Sequence, residues 1–168
     1  MKINNKILII LNLFVYVIFL FIGKDLDPFT ENYSTLSLNS KGNLLLLVCG
    51  ILIGLLLAYE TSIIKNKNIG LIMFVLMLMG VIIPHHVPYN FQGNMHLLFG
   101  YISCFGVTAL TYYNIYHDST LRSILISAIT MMLVTYMKYM MVTTAGEFAL
   151  MSAIMLCNMV ACIKTSRT

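Results

Sequence analysis

Six apolar blocks follow one another along this chain, and short polar breaks separate them. Each block has roughly the 20 consecutive apolar residues that an α-helix needs to cross a bilayer. Inside lipid, only helices and closed barrels satisfy all of their backbone hydrogen bonds. The blocks are continuously apolar and do not alternate, so they predict helices and not barrel strands. We therefore expect an all-α polytopic integral membrane protein, a bundle of six transmembrane helices over residues 7–23, 43–64, 69–84, 96–116, 121–142 and 147–163.

The composition predicts a single transmembrane domain over residues 1–168 and excludes a soluble globule. Hydrophobic residues make up 60% of the chain and charged residues only 10%, whereas soluble domains carry about 25% charged residues. The net charge of +4 does not indicate nucleic-acid binding, because the lysines stand singly or in pairs near helix ends and form no basic run. We expect the lipid bilayer as a partner and no nucleic acid.

The positions of lysine and arginine predict the orientation of the helices. Six crossings put both termini on one side of the membrane, and basic residues favour the cytoplasmic side. Only Lys24 and Lys41 would lie opposite the termini. The side of the termini would hold Lys2, Lys6, Lys65, Lys67, Arg122, Lys164 and Arg167. Both termini are therefore predicted to be cytoplasmic, in a cell membrane, with non-cytoplasmic loops at 24–42, 85–95 and 143–146.

One polar segment, residues 82–100, lies between two long apolar blocks and holds three of the four histidines and two of the three prolines. In the predicted topology it shares the non-cytoplasmic side with the acidic first loop and with the start of the sixth helix. Ionisable groups from distant parts of the chain would meet there. The candidate ligand-binding residues are His85, His86, His96, Lys138, Glu147 and Asn158. At the opposite end, Glu60, His117 and Asp118 accompany ordinary charges that snorkel to the interface.

Two polar residues inside predicted helices leave alternatives open. Lys138 either snorkels to the nearby interface, pairs with Glu147 across the short turn, or takes part in a ligand or proton site. Asn158 lies well inside the sixth helix, where it either bonds to another helix or contacts a ligand.

Small and polar residues predict where helices pack and begin. Gly50 and Gly54 stand four apart on the second helix, a spacing that lets another helix approach closely. At the start of the fifth helix, Ser119 or Thr120 is the predicted N-cap. A stripe on the fourth helix is predicted to be a packing face or, if the bundle has a cavity, a wall of it. This stripe consists of His96, Gly100, Ser103, Val107 and Thr111.

The histidines also raise the question of a metal site. His85, His86 and His96 are weak metal candidates, because zinc needs three or four ligands and adjacent histidines point apart unless the loop bends. No compact metal-binding spacing and no Gly-x-Ser-x-Gly motif is present, so we expect no cofactor. The four cysteines fall within predicted helices and form no Cys-x-x-Cys pair, which indicates buried, unreactive thiols.

Three motifs follow the order of elements found in one superfamily of membrane proteins. They are Ser34-Thr35-Leu36 before the second helix, Ile83-Pro84 with His96 between the third and fourth, and Glu147 with Asn158 on the last. In this order the chain resembles the six-helix superfamily of the DRAM-like autophagy modulators, the GPI-remodelling factors and their bacterial members, with shorter loops. The resemblance implies a role in membrane or lipid homeostasis, and no functional residue is transferred from it.

Three functions stay open. The first is a non-enzymatic multi-pass protein that binds a lipid, a small solute or a membrane partner, a second copy included, through a pocket at the non-cytoplasmic face. The second is an intramembrane lipid hydrolase or transferase that uses a cluster of His85, His86, His96 and Glu147. The third is a small transporter or substrate-capture subunit. Scarce intramembrane charge and the lack of a catalytic spacing favour the first.

Overall fold

The computed structural model describes residues 4–38, 40–83 and 91–167, which fold into six α-helices and one short 3₁₀ helix. The α-helices are α1 (Asn5–Gly23), α2 (Ser40–Ile64), α3 (Lys67–Ile82), α4 (Phe91–Asn114), α5 (Ser119–Tyr139) and α6 (Thr144–Arg167). The 3₁₀ helix, Tyr33–Leu38, lies in the connection between α1 and α2. No strand occurs in the described residues, so the prediction of an all-α chain is confirmed for them.

Five of these helices, α1, α2, α4, α5 and α6, are long and apolar enough to cross a membrane. The shorter α3 is also apolar, but its 16 residues measure about 24 Å at helical rise, less than the ~30 Å hydrocarbon core. Large apolar side chains cover the outside of the bundle. Ile10, Phe21 and Leu71, for example, are each more than 60% exposed. Such a surface suits lipid and is compatible with an integral membrane protein.

Polar side chains fix where three of the helices begin. Asn4, Asn66 and Asp118 cap α1, α3 and α5, because each side-chain oxygen accepts a backbone N–H of the first turn at 2.9 to 3.0 Å. The caps predicted at Ser119 and Thr120 are therefore wrong. Asp118 has the extended backbone that a cap needs, and Ser119 is already helical.

α2 and α3 pack closely through the two glycines of α2. A Cβ atom on Gly50 would come within 2.7 Å of Val81, and one on Gly54 within 3.2 Å of Met77. These distances leave no room for a larger side chain at Gly50 unless α3 moves. The predicted close packing at this pair of small residues is confirmed.

α4 begins earlier than the sequence predicts, at Phe91 and not at residue 96. The loop predicted over 85–95 is therefore wrong for residues 91–95, while residues 85–90 lie outside the described part of the chain. The reason is tertiary packing. Gly93 and His96 are buried on one face of α4, so a segment polar enough for a loop is held in a helix with one buried face.

α4 and α5 are adjacent in sequence but hardly touch each other. α4 packs against α3 and α6, whereas α5 packs against α6. The two helices therefore stand apart in front of α6, and a gap between them opens on one side of the bundle.

Candidate functional site

A cavity of about 600 Å³ lies behind the gap between α4 and α5. The two helices form its sides, and α6 with parts of α2 and α3 forms its back. Exposed apolar side chains stand at its opening, among them Tyr101 and Phe105 on α4 and Leu133 on α5. An opening lined by such side chains is compatible with contact to lipid hydrocarbon. This cavity is termed the lateral cleft below.

The interior of the lateral cleft is mostly apolar. Ile53, Met77 and Ile154 are buried residues of its back wall. Gly100 on α4 also lines the cleft, and a Cβ atom added there would meet no other atom within 4 Å. The missing side chain at Gly100 therefore contributes directly to the open space. The cleft is therefore both open and lined mainly by apolar groups.

Polar groups gather at the end of the cleft that adjoins the 3₁₀ helix. They include Asn32, Tyr33, His96 and Glu147. The Oε2 atom of Glu147 accepts the backbone N–H of Tyr33 at 2.7 Å. The Nδ1 atom of His96 donates to the carbonyl oxygen of Ile83 at 2.7 Å, because a carbonyl oxygen can only accept. Each of these two side chains is thus oriented by a hydrogen bond with a backbone group.

The loop after α1 holds Glu147 in place by closing over the N-terminal end of α6. The N–H and hydroxyl of Thr144 donate to the carbonyl oxygen of Glu31 at 2.7 and 2.8 Å, and the N–H of Ala145 donates to that of Pro28 at 3.0 Å. Glu147 lies in the same first turn of α6, where the helix dipole favours an acidic side chain. The loop and the start of α6 are therefore joined to each other at this end of the cleft.

Asp27 stabilises the loop itself. Its carboxylate accepts the backbone N–H groups of Phe29 and Thr30, both at 2.8 Å, while its own N–H donates to the Glu31 carboxylate at 2.7 Å. The hydrogen bond from Phe29 is the main cause that lowers the pKa of Asp27, so this carboxyl is ionised at neutral pH. Asp27 and Glu31 therefore bond within the loop and do not line the lateral cleft.

An aromatic wall supports the polar end. The ring of Tyr33 stacks on Phe19 at 4.4 Å between centroids, and Phe19 lies 5.8 Å from Phe148. The Tyr33 hydroxyl donates to the carbonyl oxygen of Phe19 at 3.3 Å. Burial, and then the nearby Glu147 carboxyl, raise the pKa of Tyr33. Its hydroxyl therefore stays protonated and keeps this hydrogen bond across the pH range in which proteins are studied.

Two of the six predicted ligand-binding residues, His96 and Glu147, line the lateral cleft. His85 and His86 lie outside the residues that the structure describes, so their part in a site stays a prediction. Within the described ranges, no three His, Cys, Asp or Glu side chains group as metal ligands would. The three-histidine metal hypothesis rests on residues beyond those ranges and stays a prediction as well.

Lys138 lies apart from the cleft. Its side chain is exposed in the last turn of α5, and its amino group stands 5.0 Å from the centroid of the Tyr139 ring. The two ion pairs among the described residues involve other groups, so none joins Lys138 to Glu147. The cation–π contact and the C-terminal end of the helix dipole both suit an exposed ammonium group. This placement favours the snorkelling interpretation.

Asn158 belongs to a buried polar network at the other end of the bundle. Asn114 on α4 donates from Nδ2 to the Thr61 hydroxyl at 2.9 Å and to Oδ1 of Asn158 at 2.7 Å. Asn158 in turn donates to the Thr111 hydroxyl at 2.9 Å. These bonds link α2, α4 and α6, so the interhelical interpretation of Asn158 is confirmed. Thr111, which the sequence assigned to the packing stripe of α4, belongs to this network.

Glu60 is a polar residue whose burial the sequence interpretation missed. It lies next to Thr61 on α2, has 0% exposure, and accepts a hydrogen bond from Nδ2 of Asn12 on α1 at 2.7 Å. An interfacial charge that snorkels would reach water, and Glu60 does not. One sequence feature could have predicted this pair: Asn12 and Glu60 each interrupt an apolar block, and both lie towards the predicted cytoplasmic side.

Comparison with known proteins adds no assignment for this chain. No family model, no curated protein and no solved structure matches it. The functional interpretation therefore rests on the residues themselves: an apolar cleft between α4 and α5, a polar end held by backbone hydrogen bonds, and a separate buried polar network.

Proposed function

We propose that all six helices cross a cell membrane and that both termini are cytoplasmic. The distribution of lysine and arginine supports this topology. The short α3 would span with the help of the polar residues at its start, since a short helix is accommodated by local thinning and by snorkelling side chains. In this orientation the polar end of the lateral cleft lies at the non-cytoplasmic face, and the Asn158 network lies towards the cytoplasm.

We further propose that the protein binds a membrane lipid in the lateral cleft. The observation that carries this proposal is the shape of the cavity, which runs from a polar end at Glu147 to an apolar opening between α4 and α5. A lipid has the same division into a polar headgroup and an apolar chain. The volume of the lateral cleft also falls within the roughly 300–1,000 Å³ typical of ligand pockets. The chain would enter sideways from the bilayer, with its headgroup against Glu147 and His96.

The chemistry of the polar end favours a headgroup that donates hydrogen bonds. Glu147 offers carboxyl oxygens, which accept hydrogen bonds from such a headgroup. Among the described residues, no lysine or arginine lines the cleft, so a negative headgroup would meet no compensating positive side chain. We therefore propose an amine-bearing lipid such as phosphatidylethanolamine as the preferred ligand. The resemblance to proteins of lipid homeostasis agrees with this proposal.

The test is native mass spectrometry of the purified protein with lipids of identical acyl chains. Phosphatidylethanolamine and phosphatidylglycerol are offered to the wild type, to Gly100→Leu and to Gly100→Ala. Leucine would extend into the open cleft, whereas alanine adds a single methyl group. Both variants replace a glycine in the interior of a helix, and this replacement by itself does not lower the stability of the helix. We expect wild type and Gly100→Ala to retain one phosphatidylethanolamine, and Gly100→Leu to bind it roughly tenfold more weakly, a change of about 1.4 kcal/mol.

Other outcomes would correct the proposal in specific ways. Equal retention by wild type and Gly100→Leu would mean that the lipid binds elsewhere. Tighter retention of phosphatidylglycerol would overturn the assignment of the headgroup. Conversion of the bound lipid to a product, abolished by His96→Ala, would instead support an intramembrane hydrolase or transferase.

A further inference from the structure

The second polar region of the bundle centres on Glu60, where α1 meets α2. One carboxyl oxygen, Oε1, accepts the 2.7 Å hydrogen bond from Asn12. The other, Oε2, is buried and has no hydrogen-bond partner among the described residues. Burial of a polar oxygen without a partner is strongly unfavourable, and burial of a full negative charge is more so. The structure therefore calls for a ligand that removes the charge of this carboxyl group.

No described cation is placed to supply that positive charge. The buried faces of α1 and α3 carry no titratable side chain. On the buried face of α6, the titratable groups are the thiols of Cys157 and Cys162. Two lysines at this end of the bundle are engaged elsewhere: Lys65 stands 3.9 Å above the Tyr113 ring, and Lys164 pairs with Asp118. Lys6 and Lys67 are exposed.

We infer that Glu60 is a proton-binding site. When the proton is bound, the carboxyl group is a neutral acid: the proton lies on Oε2, and Oε1 accepts the hydrogen bond from Asn12. Release of the proton to water would leave a buried carboxylate that a single neutral amide cannot stabilise. The site lies in the α1–α2 contact and shares no residue with the lateral cleft, so the inference stands whether or not the cleft binds lipid.

Proton occupancy would also control the packing of α1. This helix buries only one stripe of residues, Leu8, Asn12, Val15 and Phe19. Asn12 is the one polar member of the stripe, and Glu60 is its partner on α2. Loss of the proton therefore strains the contact that holds α1 at its cytoplasmic half, and water entry would relieve that strain. The site couples a proton to the position of one helix.

Infrared spectroscopy of the detergent-purified protein tests the inference, because the carbonyl stretch of a protonated carboxylic acid is separate from that of a carboxylate. We expect the wild type at neutral pH to show the acid band. Glu60→Gln should remove it, since glutamine keeps the acceptor for Asn12 but cannot titrate. Glu147→Gln serves as the matched control and should retain the band of Glu60. A spectrum without an acid band at neutral pH, or a band unchanged in Glu60→Gln, overturns the inference.

A second variant keeps the test decisive if Glu60→Gln fails to fold. In Asn12→Leu the Glu60 carbonyl loses its hydrogen-bond donor, so its acid band should move to higher frequency; an unmoved band contradicts the assignment. Sodium is the alternative ligand. Absence of the acid band in sodium chloride at neutral pH, with its appearance in sodium-free buffer at the same pH, would show that a sodium ion occupies the site in place of a proton and would overturn the proposal.

Discussion

The hydrogen bond between Asn114 and Asn158 offers a quantitative test of the buried network. Asn158→Leu removes two interhelical bonds, one from Asn114 at 2.7 Å and one to Thr111 at 2.9 Å. Interhelical hydrogen bonds in membrane proteins contribute about 0.6 kcal/mol on average and at most about 1.7 kcal/mol each. We therefore expect Asn158→Leu to lower the free energy of unfolding by roughly 1–2 kcal/mol, since leucine has the same branching as asparagine but makes neither bond.

A double-mutant cycle isolates the direct bond between the two asparagines. Wild type, Asn114→Leu, Asn158→Leu and the double variant are unfolded by SDS titration in mixed micelles. The coupling free energy should lie between about 0.6 and 1.7 kcal/mol. Thr130 provides the control, because its hydroxyl donates to a carbonyl oxygen of its own helix at 2.9 Å. Thr130→Val with Asn158→Leu should be additive. A coupling below about 0.3 kcal/mol for the asparagine pair, within ordinary additivity, would refute the network.

Three further predictions concern single sites. Lys138→Leu should change thermal stability by less than about 0.5 kcal/mol, because the amine is exposed; loss of folded protein would instead reveal a buried partner. Gly70→Ala should destabilise by roughly 1–3 kcal/mol, because the new Cβ would lie 2.5 Å from a backbone oxygen of α2; unchanged thermal unfolding would contradict this close approach. The hydrogen bond from Lys164 is the main cause that lowers the pKa of Asp118. The stability that this hydrogen bond gives the folded protein is therefore present above the ordinary pKa of an aspartate, near 4. It is lost as the pH falls through the lowered pKa. In unfolding titrations at decreasing pH, the free energy of unfolding of Asp118→Asn should fall less than that of the wild type.

The helices could be predicted from the sequence because lipid leaves the backbone few alternatives. Continuous apolar blocks place α1, α2, α5 and α6 within a few residues of their observed ends. The start of α4 was harder, since residues 91–95 look like a loop and are helical only because Gly93 and His96 pack inwards. Helix ends set by tertiary burial leave little local signal.

The site was predictable only in part, for a similar reason. His96, Gly100, Ser103 and Val107 line the lateral cleft, as the stripe on α4 allowed for a cavity wall. That α4 and α5 stand apart is a property of the whole bundle and of no single segment. Glu60 near the end of an apolar block looks like a snorkelling charge, and its partner Asn12 lies 48 residues away. Only the packed structure brings the two together.

The chain has no tryptophan, so one introduced indole can report on lipid in the lateral cleft. Phe105→Trp places it at the opening, where Phe105 is 70% exposed; Phe14→Trp is the control on α1, where Phe14 is 59% exposed and does not line the cleft. Quenching is measured while brominated phosphatidylethanolamine is added to phosphatidylglycerol bilayers. A lipid bound in the cleft predicts that fluorescence at position 105 is quenched at a much lower mole fraction of brominated lipid than at position 14. Identical quenching curves would contradict lipid binding in the cleft.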